Sequence, residues 1–328
     1  MVGGTGLIRR GLRRPWPAVC AVAVLAALPA FSSAYTLYLL SSIFAAVLFA
    51  ASLNFVLGYG GLLQLSQGTF YGIGAYAAAL VLTKTGLPFW AAVVAAPLAA
   101  AAGAFLIGWF CVRLRQLYFG MLTLALGELV WALADRWYGF TGGDNGISSI
   151  PLPGVFTTSA GGYYLALVVM TGSLVVLYRL VHSPFGLTLR ATRDNPVRSA
   201  GVGVDVPRHQ LTAVVVSGLF AGLAGLVHTV VAGSVDPSLL DWPNSAEVLI
   251  MLLLGGLGTF IGPAVGAAVL VLLSMVLGAY TDYWLLVMGV ILVVLAMFLP
   301  QGLVGFLEGR FNGTAGTAGR ESPTEGGT

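Results

Sequence analysis

Ten apolar runs follow one another along this 328-residue chain, and that repetition limits its fold more than any other feature. They lie at about 17–31, 36–57, 62–83, 89–112, 116–134, 162–181, 209–232, 245–261, 263–279 and 283–299, most of them long enough to cross a bilayer core as a helix. In lipid every backbone N–H and C=O must be paired within the protein, which leaves helices and closed barrels. The runs are too continuously apolar for the alternating strands of a barrel. The sequence therefore predicts an all-α polytopic membrane protein of about ten transmembrane helices. A mean hydropathy of +0.93 and a charged fraction of only 8% exclude an ordinary soluble domain.

Because charge is so scarce, its placement is informative. Arg9, Arg10, Arg13 and Arg14 precede the run AVCAVAVLAALPAF and then Ser32–Ser33–Ala34. A cleavable signal peptide has that order, and so does a retained first span with a basic cytoplasmic flank. We expect retention, and read the arginines as a topology signal with no nucleic-acid partner. Alternation across ten spans then puts Arg113, Arg115, Arg190, Arg193, Arg198, Arg208 and Arg310 on the N-terminal side, leaving Lys84 and Arg136 opposite. The division that follows is a basic cytoplasmic N-terminus over 1–16, a transmembrane domain over 17–299 and a cytoplasmic, disordered tail over 300–328. That sidedness discounts the glycosylation pattern at Asn312.

Two passages are dense in glycine: GYGGLLQLSQGTFYGIGAY (58–76) and LLGGLGTFIGPAVGA (253–267). Glycine permits either close helix packing or broken helices beside a pathway. Gln64, Ser66 and Gln67 need partners or water at membrane depth and so are expected to face the interior, lining a path. Spans eight and nine, joined by GGLGTFIGP, are short enough for one to be re-entrant. The turn-rich loop TGGDNGISSIPLPG (141–154) is long enough to form a docking surface on the opposite side.

Catalytic chemistry has no visible support. A phosphate-cradling loop needs Lys directly after Gly, and the only lysine, Lys84, follows Thr83. His182, His209 and His228 lack metal-ligand spacing, and Cys20 and Cys111 read as small apolar residues. Glu128 and Glu247 fall within apolar runs, each near enough to an end for either a structural role or a proton or cation site.

The segment 183–205, SPFGLTLRATRDNPVRSAGVGVD, is different in kind. Ser183–Pro184 can start a helix, with Ser as cap and Pro in the first turn. Leu187, Leu189, Val197 and Ala200 are expected to supply apolar contacts, and Arg190, Arg193 and Arg198 a polar side. Asp194–Asn195–Pro196 marks a second turn, and Gly201 and Gly203 let the chain bend back. A loop that only set topology would not need this combination.

At this point the sequence resembles a known family. The 183–205 segment is similar to the coupling segment of permease subunits of branched-chain amino-acid ABC transporters, specifically the M-type subunit of the high-affinity Leu/Ile/Val system. YFGMLTLALGELV, SGLFAGLAGLVH, EVLIMLLLGGLGTFIGPAVGA, FLPQGLVG, the 58–76 passage and the 141–154 loop match in order, covering roughly Leu53 to Gly305.

The resemblance implies an ABC importer permease fold in the bacterial inner membrane, translocating hydrophobic amino acids by alternating access. Its partners would be a homologous second permease subunit, two ATPase subunits that hold the ATP and magnesium, and a periplasmic substrate-binding protein; the chain itself would carry no cofactor or metal. Ser183, Pro184, Phe185, Gly186, Leu189, Arg190, Arg193, Asp194, Asn195 and Gly201 would couple to an ATPase. A helix over Gly60–Tyr76 would line the path, contributing Gln64, Ser66, Gln67, Gly68 and Tyr71, with Gly255, Gly256 and Glu247 from the later passage. Thr141, Gly142, Gly143, Asn145 and Gly146 would meet the binding protein. Where family members often read Ser-Leu-Gly-His, this chain reads Gln64-Leu65-Ser66-Gln67, which leaves the substrate open. Urea or short amides are the nearest alternatives. A stand-alone secondary transporter using Glu128 or Glu247, or a membrane scaffold, are the rival classes.

Overall fold

The structure is a computed structural model and describes residues 16–30, 32–114, 116–280, 286, 289–290 and 302–305. Among the described residues it is helical, with one isolated antiparallel bridge, Ile147 to Val235. The arginine-rich N-terminus, nearly all of the tenth expected span, Arg310 and the tail lie outside the described residues.

Eleven helices carry the architecture. They are α1 (Trp16–Ala27), α2 (Ala34–Asn54), α3 (Gln67–Leu80), α4 (Phe89–Cys111), α5 (Gln116–Arg136), α6 (Ser159–Val181), α7 (Pro184–Asp194), α8 (Pro196–Gly201), α9 (Val206–Ala232), α10 (Trp242–Gly255) and α11 (Gly262–Tyr280). Five of these, α2 with its π-helical extension Phe55–Tyr59, α4, α5, α6 and α9, are long and apolar enough to cross a membrane. The protein is a multi-pass membrane protein.

At the centre stand α2, α3 and α9. Exposed apolar faces fall on α4, α5 and α6, where Trp90, Leu98, Leu106, Phe110, Met121, Leu129 and Val168 point outward. Between these faces and the core the helices approach on small residues. Ala92, Ala96, Ala100 and Ala104 form a wholly buried stripe on α4. It meets Gly218 and Gly222 of α9: a Cβ on Gly222 would come within 2.4 Å of the Ala100 Cβ. Without a hydrophobic drive between helices in lipid, such close backbone contact supplies the attraction.

The elements also differ from the expected spans in two places. The third span does not begin at residue 62. After the π-helical turn, Gly61 takes φ +69°, with its N–H bonded to the Leu57 carbonyl and the Leu62 N–H to that of Val56. This glycine-terminated end stops the helix. Residues 61–66 are irregular, and α3 starts only at Gln67, so the expected Gly60–Tyr76 helix is interrupted.

The eighth span is displaced as well. Chain leaving α9 pairs Val235 with Ile147, then turns inward through a 3-10 turn, Pro237–Leu240. Leu240 is buried against α3, where a Cβ on Gly72 would meet its side chain at 2.6 Å. The 14-residue α10 that follows is about 21 Å long, short of a ~30 Å hydrocarbon core. A 3-10 turn and a short helix together replace a regular span.

A candidate pathway and a candidate coupling unit

The break before α3 gathers the polar residues of the first glycine passage into one buried knot. Gln67 donates from Nε2 to the Ser52 Oγ (2.7 Å) and the Ser217 Oγ (3.1 Å), while Gln64 donates to the Gln67 Oε1. The Ser217 hydroxyl donates on to the Ser52 carbonyl at 2.7 Å, and the Gly68 N–H donates to the Ser245 Oγ at 2.8 Å. Side chains of α2, α3 and α9 thus meet at one point, and one from α10 reaches the α3 backbone beside it. Inward orientation was legible from the sequence; the bonding of these residues to one another was not. Two acceptors in the knot, Gln64 Oε1 and Ser66 Oγ, are buried without a partner among the described residues. Such atoms are where water or a polar ligand is accommodated.

Beside the knot lies a cavity of about 650 Å³, bounded by α2, α3, α9, α10 and α11. Phe49, Ile250, Met251, Leu270 and Val271 give it an apolar wall; Tyr71, His228, Asn244 and Glu247 give it polar points. Tyr71 is held by rings on both sides, with the Phe49 centroid at 4.5 Å and His228 edge-on at 5.7 Å. Of the residues expected to line a path, Tyr71 and Glu247 do border this cavity. Gln64, Ser66, Gln67 and Gly68 sit in the knot. Gly255 ends α10, and Gly256 at φ +114° opens the α10–α11 break.

The two intramembrane carboxylates separate clearly. Among the described residues no basic side chain pairs with Glu247, which faces the cavity. Glu128 instead accepts from the Trp242 N–H at 3.1 Å, sharing that donor with Asp241 at 2.7 Å. Both carboxylates cap the positive end of α10, an electrostatically favourable place for them. His228 and Asn244 are polar cavity residues that the sequence reading did not assign to a path. For His228, an ionisable ring within an apolar run was the available signal. Among the described residues no three His, Cys, Asp or Glu side chains converge to hold a metal.

The 183–205 segment folds as two capped helices. The Ser183 hydroxyl accepts from the Gly186 N–H, Pro184 sits at the first position of α7, and Asn195 caps α8 by accepting from the Arg198 N–H at 2.9 Å. Gly186 lies so close to the end of α6 that a Cβ would meet the Val181 carbonyl at 2.3 Å. Phe185 stacks on His209 at 4.2 Å, and Leu189 is fully buried. Arg190 covers the Tyr59 ring at 4.9 Å, and Arg193 donates to the Gly58 carbonyl, so two arginines grip the end of α2.

Other expected apolar contacts are not made. Leu187 and Val197 are 59% and 74% exposed, Val202 is similarly bare, and Ala200 faces out. Asp194, Arg198 and Gly201 share that exposed side, and Gly203 at φ +91° makes the return bend.

On the opposite side, Gly142, Gly143 and Gly146 all take positive φ, winding the loop tightly. Thr141 is buried and donates to the Ala134 and Trp137 carbonyls, so it builds the loop from inside. Gly143 is buried too, while Asp144 and Asn145 are presented outward. Lys84 fastens this loop to the end of α3 through the Gly139 and Phe140 carbonyls at 2.9 and 2.8 Å.

Comparison with known proteins places this arrangement. Residues 35–296 match the family described as branched-chain amino acid transport system / permease component. The high-affinity branched-chain amino acid transport system permease proteins LivM of Salmonella typhimurium and of Escherichia coli are each 34% identical over 285 residues, covering 79% of this chain and 67% of theirs. A probable branched-chain amino acid transport permease protein LivM of Methanocaldococcus jannaschii is 25% identical over 212 residues, 58% of this chain and 61% of its own. No solved structure matches.

Proposed function

The chain belongs to the branched-chain amino acid permease family, and from that premise we propose that it is the membrane-spanning subunit of an ATP-driven importer of hydrophobic amino acids. It works in a bacterial inner membrane beside a second permease, with the ATP-hydrolysing subunits docking on the α7–α8 side and a substrate-binding protein on the Asp144–Asn145 side.

The observation that carries the reading is α7. It is capped at its start, locked to α6 by Gly186 and clamped to α2 by Arg190 and Arg193, while Leu187, Val197, Val202 and Arg198 remain exposed. A stand-alone carrier has no use for a rigid basic handle with a bare apolar face. A partner that closes on it gains apolar burial and charge complementarity together.

The cavity suits the cargo. An amino acid presents an ammonium group and an apolar side chain, matching Glu247 on one side and Ile250, Met251, Leu270 and Val271 on the other. The N-terminus of α10 already holds two carboxylates of its own, so Glu247 is the charge left for a cation. Alternating access then moves the boundary of this cavity while the chain performs no bond chemistry.

Purification from the native membrane in mild detergent, followed by mass spectrometry, tests the reading. Co-recovery of a P-loop ATPase and a second permease is expected. Recovery of the chain alone, under conditions that preserve known complexes, would replace it with the secondary-transporter reading.

A further inference from the structure

Asn54 ends α2, is 2% exposed, and uses both ends of its amide on a distant part of the chain. Its Nδ2 donates to the Thr259 carbonyl at 2.8 Å, and its Oδ1 accepts from the Gly258 N–H at 3.1 Å. Those partners lie in the break between α10 and α11. One turn further, within the π-helical end of α2, the Gly58 carbonyl accepts from Arg193 of α7. Gly58 has no spare room: a Cβ there would fall 1.9 Å from the Asn54 Oδ1 and 2.9 Å from the Gly258 nitrogen. A line of contacts therefore runs from Arg193 to the Gly58 carbonyl, through the close packing of Gly58 on Asn54, to Gly258–Thr259.

Its two ends are what make this line informative. At one end is the exposed helix α7; at the other is the hinge joining α10 and α11, which carry Glu247, Ile250, Met251, Leu270 and Val271 of the cavity wall. Between them sits a π-helical turn, a local departure from α geometry that recurs at functional positions and can shift at modest cost. Asn54 ties the break to α2 through two of its backbone groups, beside the break's own Thr259 bonds to Gly256 and Gly262, so displacement of the α2 end bears on it. Gly256 at φ +114° and Gly258 at φ +74° let the break pivot without unwinding either helix.

We propose that Asn54 is a positioning residue that carries displacement of α7 through the end of α2 to the α10–α11 break, and so sets whether the cavity is open. The proposal rests on the importer reading above. Asn54 is buried and cannot touch a docked ATPase, so it reports transmission alone.

The test is the amount of amino acid taken up per ATP hydrolysed by the complete transporter in liposomes, comparing the unaltered protein with Asn54→Leu, Arg193→Ala and the double variant. Asn54→Leu should leave ATP hydrolysis in place, and each single change should lower that ratio by about threefold or more. The double variant should fall no further than the worse single, because both interrupt one line. An unchanged ratio in Asn54→Leu, or losses that multiply in the double variant, would overturn the relay. Should Asn54→Leu fail to insert, Asn54→Asp keeps the shape and the acceptor but loses the donor to Thr259, and the same ratio decides. Absence of ATP-driven uptake by the unaltered complex would overturn the importer reading and the relay with it.

Discussion

Gly74 of α3 and Gly222 of α9 face each other so closely that a Cβ on the first would lie 2.4 Å from the Cα of the second. The contact joins two of the three central helices, and Gly225 adds to it one turn on, against the Tyr71 carbonyl. Gly222→Val should destabilise the fold by about 1–3 kcal/mol or more, since no flexible neighbour can give way. Lower yield of monodisperse protein and a lower detergent melting temperature are the expected outcomes. A variant as stable as the parent would contradict this packing.

Gln67 is the centre of the polar knot, bonded to Ser52, Ser217 and Gln64. Gln67→Leu removes all three contacts at once and strands the buried Gln64 amide N–H at about 1–3 kcal/mol, while the Ser52 and Ser217 hydroxyls keep the Phe49 and Ser52 carbonyls. Thermal stability should therefore fall together with uptake. Loss of uptake at unchanged melting temperature would place Gln67 on the transport path itself.

The two carboxylates should respond differently to neutralisation. Glu247→Gln removes the cavity charge, and amino-acid uptake should fall about tenfold to a hundredfold, the worth of a charge-assisted hydrogen bond. Glu128→Gln leaves Asp241 capping α10, so uptake should stay within about threefold, with at most ~1 kcal/mol lost in stability. Equal sensitivity of both, measured by labelled-substrate uptake, would favour a proton- or cation-coupled carrier.

How far the sequence could be read depended on whether a feature was local. Ser183–Pro184 announced its helix start because caps act within three residues, whereas Asp194–Asn195–Pro196, read as a turn, caps a second helix, α8. Close glycine packing was among the readings of the passage that became α3, but the alanine stripe of α4 and the facing glycines of α9 were not singled out. The break at Gly61–Ser66 was not, because Gly-Gly-Leu-Leu reads as apolar continuity until φ at Gly61 is known. Nor was the inward 3-10 turn before α10, which depends on Val235 finding Ile147 across 88 residues. Leu187 and Val197 were expected inside because helical spacing alone does not say which face a partner covers. Asn54 went unnoticed at the end of an apolar run, although a polar amide there had to be bonded to something.

The grip of α7 on α2 gives a sharper expectation for the coupling unit. Arg190→Ala loses the Tyr59 contact, and Gly186→Leu drives a side chain into the Val181 carbonyl. Both should insert normally, because the spans are untouched. Gly186→Leu should abolish uptake by tilting α7, whereas Arg190→Ala should reduce it about threefold to tenfold, in line with a partly desolvated cation–π contact. Uptake assays with surface-expression controls check the pair; full activity in Gly186→Leu would remove α7 from the account.

The central claim is that this chain moves amino acids only when ATPase subunits push on α7. The most direct measurement is leucine and isoleucine uptake into liposomes holding either the chain alone or the complete assembly, with ATP supplied on the α7 side. ATP-dependent uptake by the assembly, none by the chain alone, and loss of both uptake and ATPase binding in a Leu187→Asp, Val197→Asp variant are the predicted results. Uptake by the chain alone, driven by a proton or sodium gradient and indifferent to ATP, would contradict the account.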